Sequence, residues 1–249
     1  MWTSVTSRIA TCVMAFFIIS TPIGSKEGGV LLRTSEKAAV PMNMHMKKFV
    51  KDYIKDNSEI LGVVKRRSHY PFRVMDSVLT RYGLPKEMKY LAVIESELNP
   101  KALSSVGAKG PWQLMPETAQ LLGLSVTPDW DERTLYGKST VAAAKYLKGL
   151  YGAFGDWLLV LAAYNCGEAP VYRAIRKSGS RNFWCLEKYL PVESRDHVRK
   201  FIASHYYFEG TGSVVTLTST EWAAYMDHAH PSPKRLLVKE SPIVHYAAL

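Results

Sequence analysis

The amino-acid sequence predicts a mainly α fold. Apolar residues recur at helical spacing in segment after segment from Met44 onward, and proline, glycine or asparagine separates many of these segments. No run of alternating apolar and polar residues, the pattern typical of a strand, occurs before about Val214. We therefore expect one helical domain over residues 44–210 and an extended C-terminal tail over residues 211–249.

The helices follow from apolar stripes and from the residues that start and stop them. The stripe of the first helix consists of Met46, Phe49, Val50, Tyr53 and Ile54. Residues 71–83 have a proline in the first turn and a glycine at the end, and residues 84–98 end before Asn99-Pro100. Residues 99–119 are rich in proline, glycine and small polar residues, which predicts a loop-rich stretch. Helices resume after this stretch.

Two helix starts have a candidate capping side chain. The segment over residues 139–148 opens with Ser139, and Asp156 precedes the next apolar helix. Beyond residue 210 the periodic signal is weak, and SVVTLTST, residues 213–220, is a candidate strand.

Composition and charge narrow the class of protein. The chain has 249 residues, of which 47% are hydrophobic and 22% charged, as in ordinary globular proteins. This length fits one sizeable domain or two small ones, and we favour one. The net charge of +10 suits an anionic partner such as nucleic acid, a membrane surface or a bacterial wall polymer. Nucleic acid is disfavoured because the basic residues are scattered and do not cluster with stacking aromatics.

The first 25 residues are predicted to be a signal peptide. Arg8 precedes the apolar run IATCVMAFFIIS, and small residues follow it in TPIGS. The run is shorter than the roughly 20 residues of a membrane-spanning helix. An uncleaved N-terminal anchor is the alternative, and it would associate the protein with a membrane. We expect an exported protein of the periplasm or cell envelope, with residues 26–43 as a linker.

Two cysteines remain after removal of the predicted signal peptide, which contains Cys12. In an exported chain Cys166 and Cys185 could form a disulfide. Two separate, reduced and buried thiols are the favoured interpretation.

Glu95 is a carboxylate on an apolar helix face. The stripe in YLAVIESELNP consists of Leu91, Ile94, Glu95 and Leu98. An apolar environment disfavours the ionised form of a carboxyl group and so favours the proton that a general acid must donate. A structural role for Glu95, such as capping the following loop or pairing with a lysine, is the alternative.

Four segments, in order, resemble the lytic transglycosylases of bacterial cell walls. IESELNPKALSSVGAKGPWQLMPETAQLLGL resembles the family's Glu-Ser motif, Gly-Ala-x-Gly turn and Trp-Gln-x-Met-Pro segment, and YGAFGDWLLVLAAYNCG resembles its Ala-Tyr-Asn-x-Gly motif. RYGLPKEMKYLAVIES and YLPVESRDHVRKFIA are similar to the membrane-bound lytic murein transglycosylase D branch. The resemblance covers roughly residues 71–207.

The resemblance implies a lysozyme-like, mainly helical fold with a loop-rich groove for peptidoglycan glycan strands. The family cleaves the MurNAc-β-1,4-GlcNAc bond without water and leaves 1,6-anhydroMurNAc ends, and it needs no cofactor or metal. Ordinary glycosidases use two carboxylates. Because Glu97 is expected on the opposite helix face, Glu95 is implied as the single acid and base, and Glu117 and Asp129 stay open as further acids.

Two other functions stay open. A goose-type lysozyme-like hydrolase would use water and yield reducing ends. A catalytically inactive glycan-binding protein would grip the strand without cleaving it. The intact set of motif residues disfavours this second alternative.

The motifs also imply the substrate-binding residues. Ser96 bonds either the substrate or a local backbone group. Gln113 matches a glutamine that contacts sugar near the scissile bond, and Met115 lines either the groove or the core. Tyr164 matches the tyrosine whose hydroxyl bonds the catalytic acid. Asn165 matches the asparagine that holds the substrate or that network.

The remaining motif positions are interpreted as supports. Trp112 is expected to pack beneath the loop rather than against sugar. Gly107 and Gly110 allow the backbone to turn sharply or to approach sugar. Pro111 and Cys166 are departures from the usual family residues, and neither touches the proposed acid.

Overall fold

The computed structural model of the protein describes residue 40 and residues 42–229. This part of the chain confirms the predicted mainly α fold, since its only β-pairing consists of three isolated bridges. Short 3₁₀ helices cover Met44–Met46, Lys86–Lys89, Glu132–Thr134 and Glu187–Tyr189. The α-helices are α1 (Lys47–Asp56), α2 (Ser58–Arg67), α3 (His69–Arg81), α4 (Tyr90–Ser96), α5 (Pro116–Leu121), α6 (Tyr136–Phe154), α7 (Trp157–Cys166), α8 (Glu168–Ser178), α9 (Phe183–Leu186), α10 (Val192–Glu209) and α11 (Ser219–Ala229).

Helix α7 lies at the centre of the core. Every residue from Trp157 to Ala163 is buried, and the sequence WLLVLAA offers no polar side for solvent. A helix that is apolar all round is stable only when other helices surround it. Helices α6, α8 and α10 pack against α7, and α4 packs against α10. This packing fixes the position of α4, which carries Glu95.

The helix predicted over residues 84–98 is divided and ends early. A 3₁₀ turn precedes α4, and α4 ends at Ser96. Glu97 and Leu98 have φ angles of 53° and 62°, in the left-handed region. The N–H of Glu97 donates to the carbonyl of Val93 at 2.8 Å, and the N–H of Leu98 donates to the carbonyl of Ala92 at 3.1 Å. These bonds close the helix end by the usual left-handed route.

One of the two predicted caps is confirmed. Oδ1 of Asp156 accepts hydrogen bonds from the backbone N–H groups of Leu158 and Leu159 at 2.9 and 3.2 Å. The Ser139 cap is wrong, because α6 begins three residues earlier at Tyr136. Oγ of Ser139 instead donates to the carbonyl of Leu135 at 2.8 Å, a bond to the preceding helical turn.

The predicted strand over residues 213–220 is wrong. Residues 214–217 form turns and bends, and Oγ1 of Thr216 accepts from the N–H of Ser213 at 2.8 Å. Such side-chain bonds compete with strand pairing. Helix α11 follows and is attached to the domain, since Oδ2 of Asp156 accepts from the N–H of Ser219 at 2.7 Å. Oε2 of Glu221 accepts from the indole N–H of Trp184 at 3.1 Å.

The predicted signal peptide, most of the predicted linker and residues 230–249 of the predicted tail lie outside the described residues. Among the described residues, none of the helices combines the length and apolar character needed to cross a membrane.

The two cysteines of the domain are both free thiols. Cys166 at the end of α7 is half-buried, and Cys185 on α9 is exposed. The expectation of two separate thiols is confirmed, but their expected burial is wrong for Cys185 and only partly met by Cys166. Helix α9 buries Phe183 and Leu186, which leaves the intervening Cys185 on the outer side of this short helix.

Candidate active site

Glu95 lies on the last turn of α4 and lines a cavity of about 330 Å³. The preceding residues of α4 are buried, namely Tyr90, Leu91, Ala92 and Val93. The side chain of Glu95 is 17% exposed. The carboxyl group is therefore largely shielded from bulk water while it reaches an open space. The residues that line this active-site cavity are Arg67, Ile94, Glu95, Ser96, Glu97 and Asn99.

His197 is a site residue that the sequence analysis did not identify. Its Nε2 lies 2.9 Å from Oε1 of Glu95, and its side chain is 10% exposed. His197 belongs to the buried face of α10, which also contains Ser194 and Phe201. The available signal in the sequence was helical spacing: His197 comes three residues after Ser194 and four residues before Phe201, which places it on the same helix face. The sequence separation of 102 residues hid its partner.

Glu97 does not face the opposite side from Glu95. Because α4 ends at Ser96, the left-handed backbone of Glu97 brings this residue to the same cavity. A guanidinium nitrogen of Arg67 lies 3.4 Å from Oε2 of Glu97 and also donates to the carbonyl oxygen of Glu97. Both side chains are about half exposed, so this ion pair is weak.

Ser96 connects α4 to the loop that follows. Its Oγ lies 2.9 Å from the carbonyl oxygen of Pro111 and 3.2 Å from that of Ala92. Ser96 was expected to bond either the substrate or a local backbone group, and the structure shows bonds to backbone groups. Because one hydroxyl proton can serve only one acceptor at a time, the shorter contact to Pro111 is the better placed of the two.

The loop over residues 99–115 is held by its own polar groups and by a buried tryptophan. Nε2 of Gln113 donates to the carbonyls of Gly110 and Ala102 at 3.0 and 3.2 Å. The backbone of Gln113 has a φ angle of 46°, in the left-handed region. Trp112 is fully buried and donates its indole N–H to Oγ1 of Thr140 at 3.0 Å. Trp112 therefore packs beneath the loop, as predicted.

Arg133 holds this loop in place through its largely buried side chain. Its side chain is 6% exposed, and one guanidinium nitrogen donates to the carbonyls of Gly107 and Leu114 at 2.8 and 2.9 Å. Two other guanidinium nitrogens donate to the carboxylate of Asp131 at 3.0 and 2.8 Å. These bonds lower the pKa of Asp131 to about 2. The loop thus rests on a largely buried, paired cation.

Tyr164 points toward the site but does not hydrogen-bond Glu95. Its hydroxyl donates to the carbonyl of Trp112 at 2.6 Å. Burial raises the pKa of Tyr164 well above its usual value, and the negative charge of Glu95 raises it further. The predicted bond to the acid is therefore replaced by a bond to the loop.

The other predicted substrate-binding residues lie outside the active-site cavity. Oδ1 of Asn165 accepts from Oγ of Ser194 at 2.7 Å, and Met115 is 38% exposed at the start of α5. Of the six predicted site residues, Glu95 and Ser96 line the cavity. The ones that do not line it are Gln113, Met115, Tyr164 and Asn165.

A known family combines this helical fold with these motifs. Residues 76–186 match the family profile of the Transglycosylase SLT domain. The match contains α4 with Glu95, the loop with Gln113 and α7 with Tyr164, and it ends before His197. This part of the chain belongs to the SLT-domain family of lytic transglycosylases, as the sequence analysis predicted.

Individual relatives agree with this assignment. The chain is 34% identical over 172 residues to the membrane-bound lytic murein transglycosylase D of Escherichia coli (strain K12), a match that covers 67% of the chain and 37% of the relative. It also resembles the crystal structure of the 70 kDa soluble lytic transglycosylase of Escherichia coli, with a TM-score of 0.50 and 27% identity over 59% of the chain and 26% of the neighbour.

A complex of the 70-kDa soluble lytic transglycosylase with bulgecin A has a TM-score of 0.56. Its sequence identity is 22%, over 70% of the chain and 32% of the neighbour, so this likeness concerns the fold alone. The fold is that of the lysozyme-like lytic transglycosylases. The chain spans well under half the length of each of these three relatives.

Proposed function

We propose that the protein is a peptidoglycan lytic transglycosylase that cleaves the MurNAc-β-1,4-GlcNAc bond and leaves 1,6-anhydroMurNAc ends. One observation carries the proposal: the carboxyl group at the family's Glu-Ser position, Glu95, is largely buried and lines a cavity. The names of the relatives, which are murein transglycosylases, support peptidoglycan as the substrate.

Glu95 acts as both acid and base in the proposed reaction. Its proton passes to the glycosidic oxygen as the bond from that oxygen to C1 of MurNAc breaks. The N-acetyl group of the substrate stabilises C1. The carboxylate of Glu95 then takes the proton from the 6-hydroxyl of the same sugar while the bond between O6 and C1 forms. The carboxyl group is thereby restored, and no water is consumed.

A hydrolase similar to goose-type lysozyme is the second candidate. It is favoured by one observation, namely that Glu97 lines the same cavity as Glu95. A second carboxylate can act as base or nucleophile in glycoside hydrolysis. The exposure of Glu97 argues against this role, since its side chain is 54% exposed and lacks the shielding of Glu95.

Mass spectrometry of the products distinguishes the two reactions. Purified peptidoglycan strands are digested with the full chain, and the released muropeptides are weighed. The transglycosylase yields anhydro ends, whereas the hydrolase yields reducing ends that are heavier by one water. Reducing ends alone would overturn the proposal in favour of the hydrolase, and the absence of any release would leave a glycan-binding protein.

The proposed location is the cell envelope, where the substrate lies. The name of the transglycosylase D relative describes a membrane-bound protein, and residues 1–25 are predicted to be a signal peptide or an uncleaved anchor. Fractionation of cells with an antibody against the domain tests this proposal. Recovery of the protein from the cytoplasm alone would contradict it.

A further inference from the structure

The contact between Glu95 and His197 joins two distant parts of the chain inside the site. Glu95 is on the last turn of α4, and His197 is on the second turn of α10. The distance of 2.9 Å between Nε2 and Oε1 is that of a good hydrogen bond. The two side chains are 10% and 17% exposed, so little water competes for this bond.

The surroundings of the two ring nitrogens of His197 differ. Nδ1 is buried and has no hydrogen-bond partner among the described residues. A proton on Nδ1 would therefore be a buried donor without an acceptor, which is costly. The imidazolium form would bury the same unpaired donor. The neutral ring with its proton on Nε2 leaves Nδ1 only as an unpaired acceptor and directs its single N–H to Glu95, whereas the other tautomer would turn the Nε2 lone pair toward the Glu95 carboxylate.

We propose that His197 is a positioning residue, which donates its Nε2–H to Oε1 of Glu95 and thereby assigns the transferred proton to Oε2. The inference rests on the proposed function, because it concerns the two states through which Glu95 passes. No protein group in the described part of the chain hydrogen-bonds Oε2. Oε2 is therefore the oxygen available to the substrate.

The two halves of the reaction use this arrangement differently. In the first half the proton on Oε2 passes to the glycosidic oxygen and leaves a carboxylate. The N–H of His197 stabilises that carboxylate, because hydrogen bonds to charged groups are stronger than those to neutral groups. In the second half Oε2 takes the proton of the sugar 6-hydroxyl. His197 keeps its own proton throughout and holds the carboxyl group in one orientation.

Two substitutions separate positioning from packing. His197→Phe keeps the ring but removes both nitrogens, and His197→Gln keeps an N–H donor near Nε2. We expect His197→Phe to lower kcat by about 10- to 100-fold with KM nearly unchanged, and His197→Gln to recover most of kcat. A matched control is His205→Phe, a buried histidine on the same helix whose Nε2 contacts Oγ of Ser213. It should lower stability but not kcat.

These kinetics can overturn the proposal. A kcat for His197→Phe close to that of the unmodified protein would do so, as would equal losses for folded His197→Phe and His197→Gln. If His197→Phe does not fold, His197→Gln decides the matter, since the donor is all that it retains. A folded His197→Gln with kcat as low as that of Glu95→Gln contradicts the proposal.

A second measurement does not depend on catalysis. Nitrogen NMR of the full chain, labelled with ¹⁵N-histidine, distinguishes a protonated Nε2 from a protonated Nδ1, with His197→Gln identifying the signal. We expect Nε2 to carry the proton at neutral pH. A proton on Nδ1 would refute the inference about His197 whatever the products are. A proton on Nε2 together with reducing-end products would instead refute the proposed function alone.

Discussion

The carbonyl oxygen of Arg133 lies where a side chain at Gly110 would have to stand. A Cβ built on Gly110 would be 1.9 Å from this oxygen, and the φ of Gly110 is 83°. The guanidinium group of Arg133 donates to the carbonyls of Gly107 and Leu114. The backbone of Arg133 therefore determines how closely the loop packs against it at Gly110. Its side chain holds the shape of the loop beside Glu95.

Substitution of Gly110 should distort the loop far more than substitution of Gly107. Gly107 has a similar φ of 88°, but a Cβ there meets nothing within 4 Å. Gly107→Ala should therefore cost only the left-handed backbone strain, about 1–2 kcal/mol. Gly110→Ala adds a steric overlap with backbone and should cost about 2–5 kcal/mol. Urea unfolding of both variants measures the difference, and equal losses would contradict the role of the Arg133 carbonyl.

Removal of the Arg133 side chain should destabilise the domain. Arg133→Ala removes the guanidinium donors to Asp131 and to two loop carbonyls, while Nζ of Lys109 remains 3.1 Å from the Asp131 carboxylate, and we expect a loss of about 2–4 kcal/mol in the free energy of unfolding. Arg81→Ala, at the exposed end of α3, is the control and should change stability by less than about 0.5 kcal/mol. Chemical denaturation monitored by circular dichroism tests both. A loss below 1 kcal/mol for Arg133→Ala would refute the anchoring role.

Replacement of the proposed acid should abolish most activity without unfolding the domain. Glu95→Gln keeps the shape of the side chain but removes the transferable proton, and we expect the rate of strand cleavage to fall by about two to four orders of magnitude. The measurement is the release of soluble muropeptides from purified peptidoglycan, together with the thermal midpoint of each variant.

Glu97→Gln is the matched control for Glu95→Gln. Glu97 lines the same cavity but is half exposed and paired with Arg67, so its substitution should change the rate little. If Glu97→Gln were as damaging as Glu95→Gln while the domain stayed folded, two carboxylates would share the chemistry, and the hydrolase would become the better function.

The domain should lose stability in mild acid through His205. Burial lowers the pKa of His205 to about 4 from its usual 6.5. The unfolded chain therefore binds a proton at a higher pH than the folded chain does. The stabilisation of about 3 kcal/mol is complete above pH 6.5 and is lost as the pH falls through that value to about 4. The stabilisation from Asp131, whose pKa is lowered from 3.8 to about 2, is lost only below this window.

Urea unfolding at a series of pH values between 7.5 and 4 tests this prediction. His205→Gln should remove much of the dependence on pH in this window, because the glutamine does not titrate. His69→Gln, at an exposed position on α3, should keep the full dependence. If His205→Gln and the unmodified chain lose stability in parallel between pH 6.5 and 4, the buried neutral histidine is not the cause.

Local patterns in the sequence were sufficient for much of the helical domain. The apolar run of α7 and its Asp156 cap depend on neighbouring residues, so spacing alone predicts them. Helix α11 was not predicted, because its periodic signal is weak. Bonds from Ser219 to Asp156 and from Trp184 to Glu221 attach it to the domain, and these partners are far away in the sequence.

For the candidate site, the sequence by itself determined the residue types: a glutamate on an apolar face and the motifs that surround it. The tertiary structure decided their geometry. It ended α4 at Ser96 and so brought Glu97 to the cavity, it directed the Tyr164 hydroxyl to Trp112, and it placed His197 against Glu95. Helical periodicity reports which face of a segment is buried, whereas the partner of a buried polar group depends on how distant helices pack.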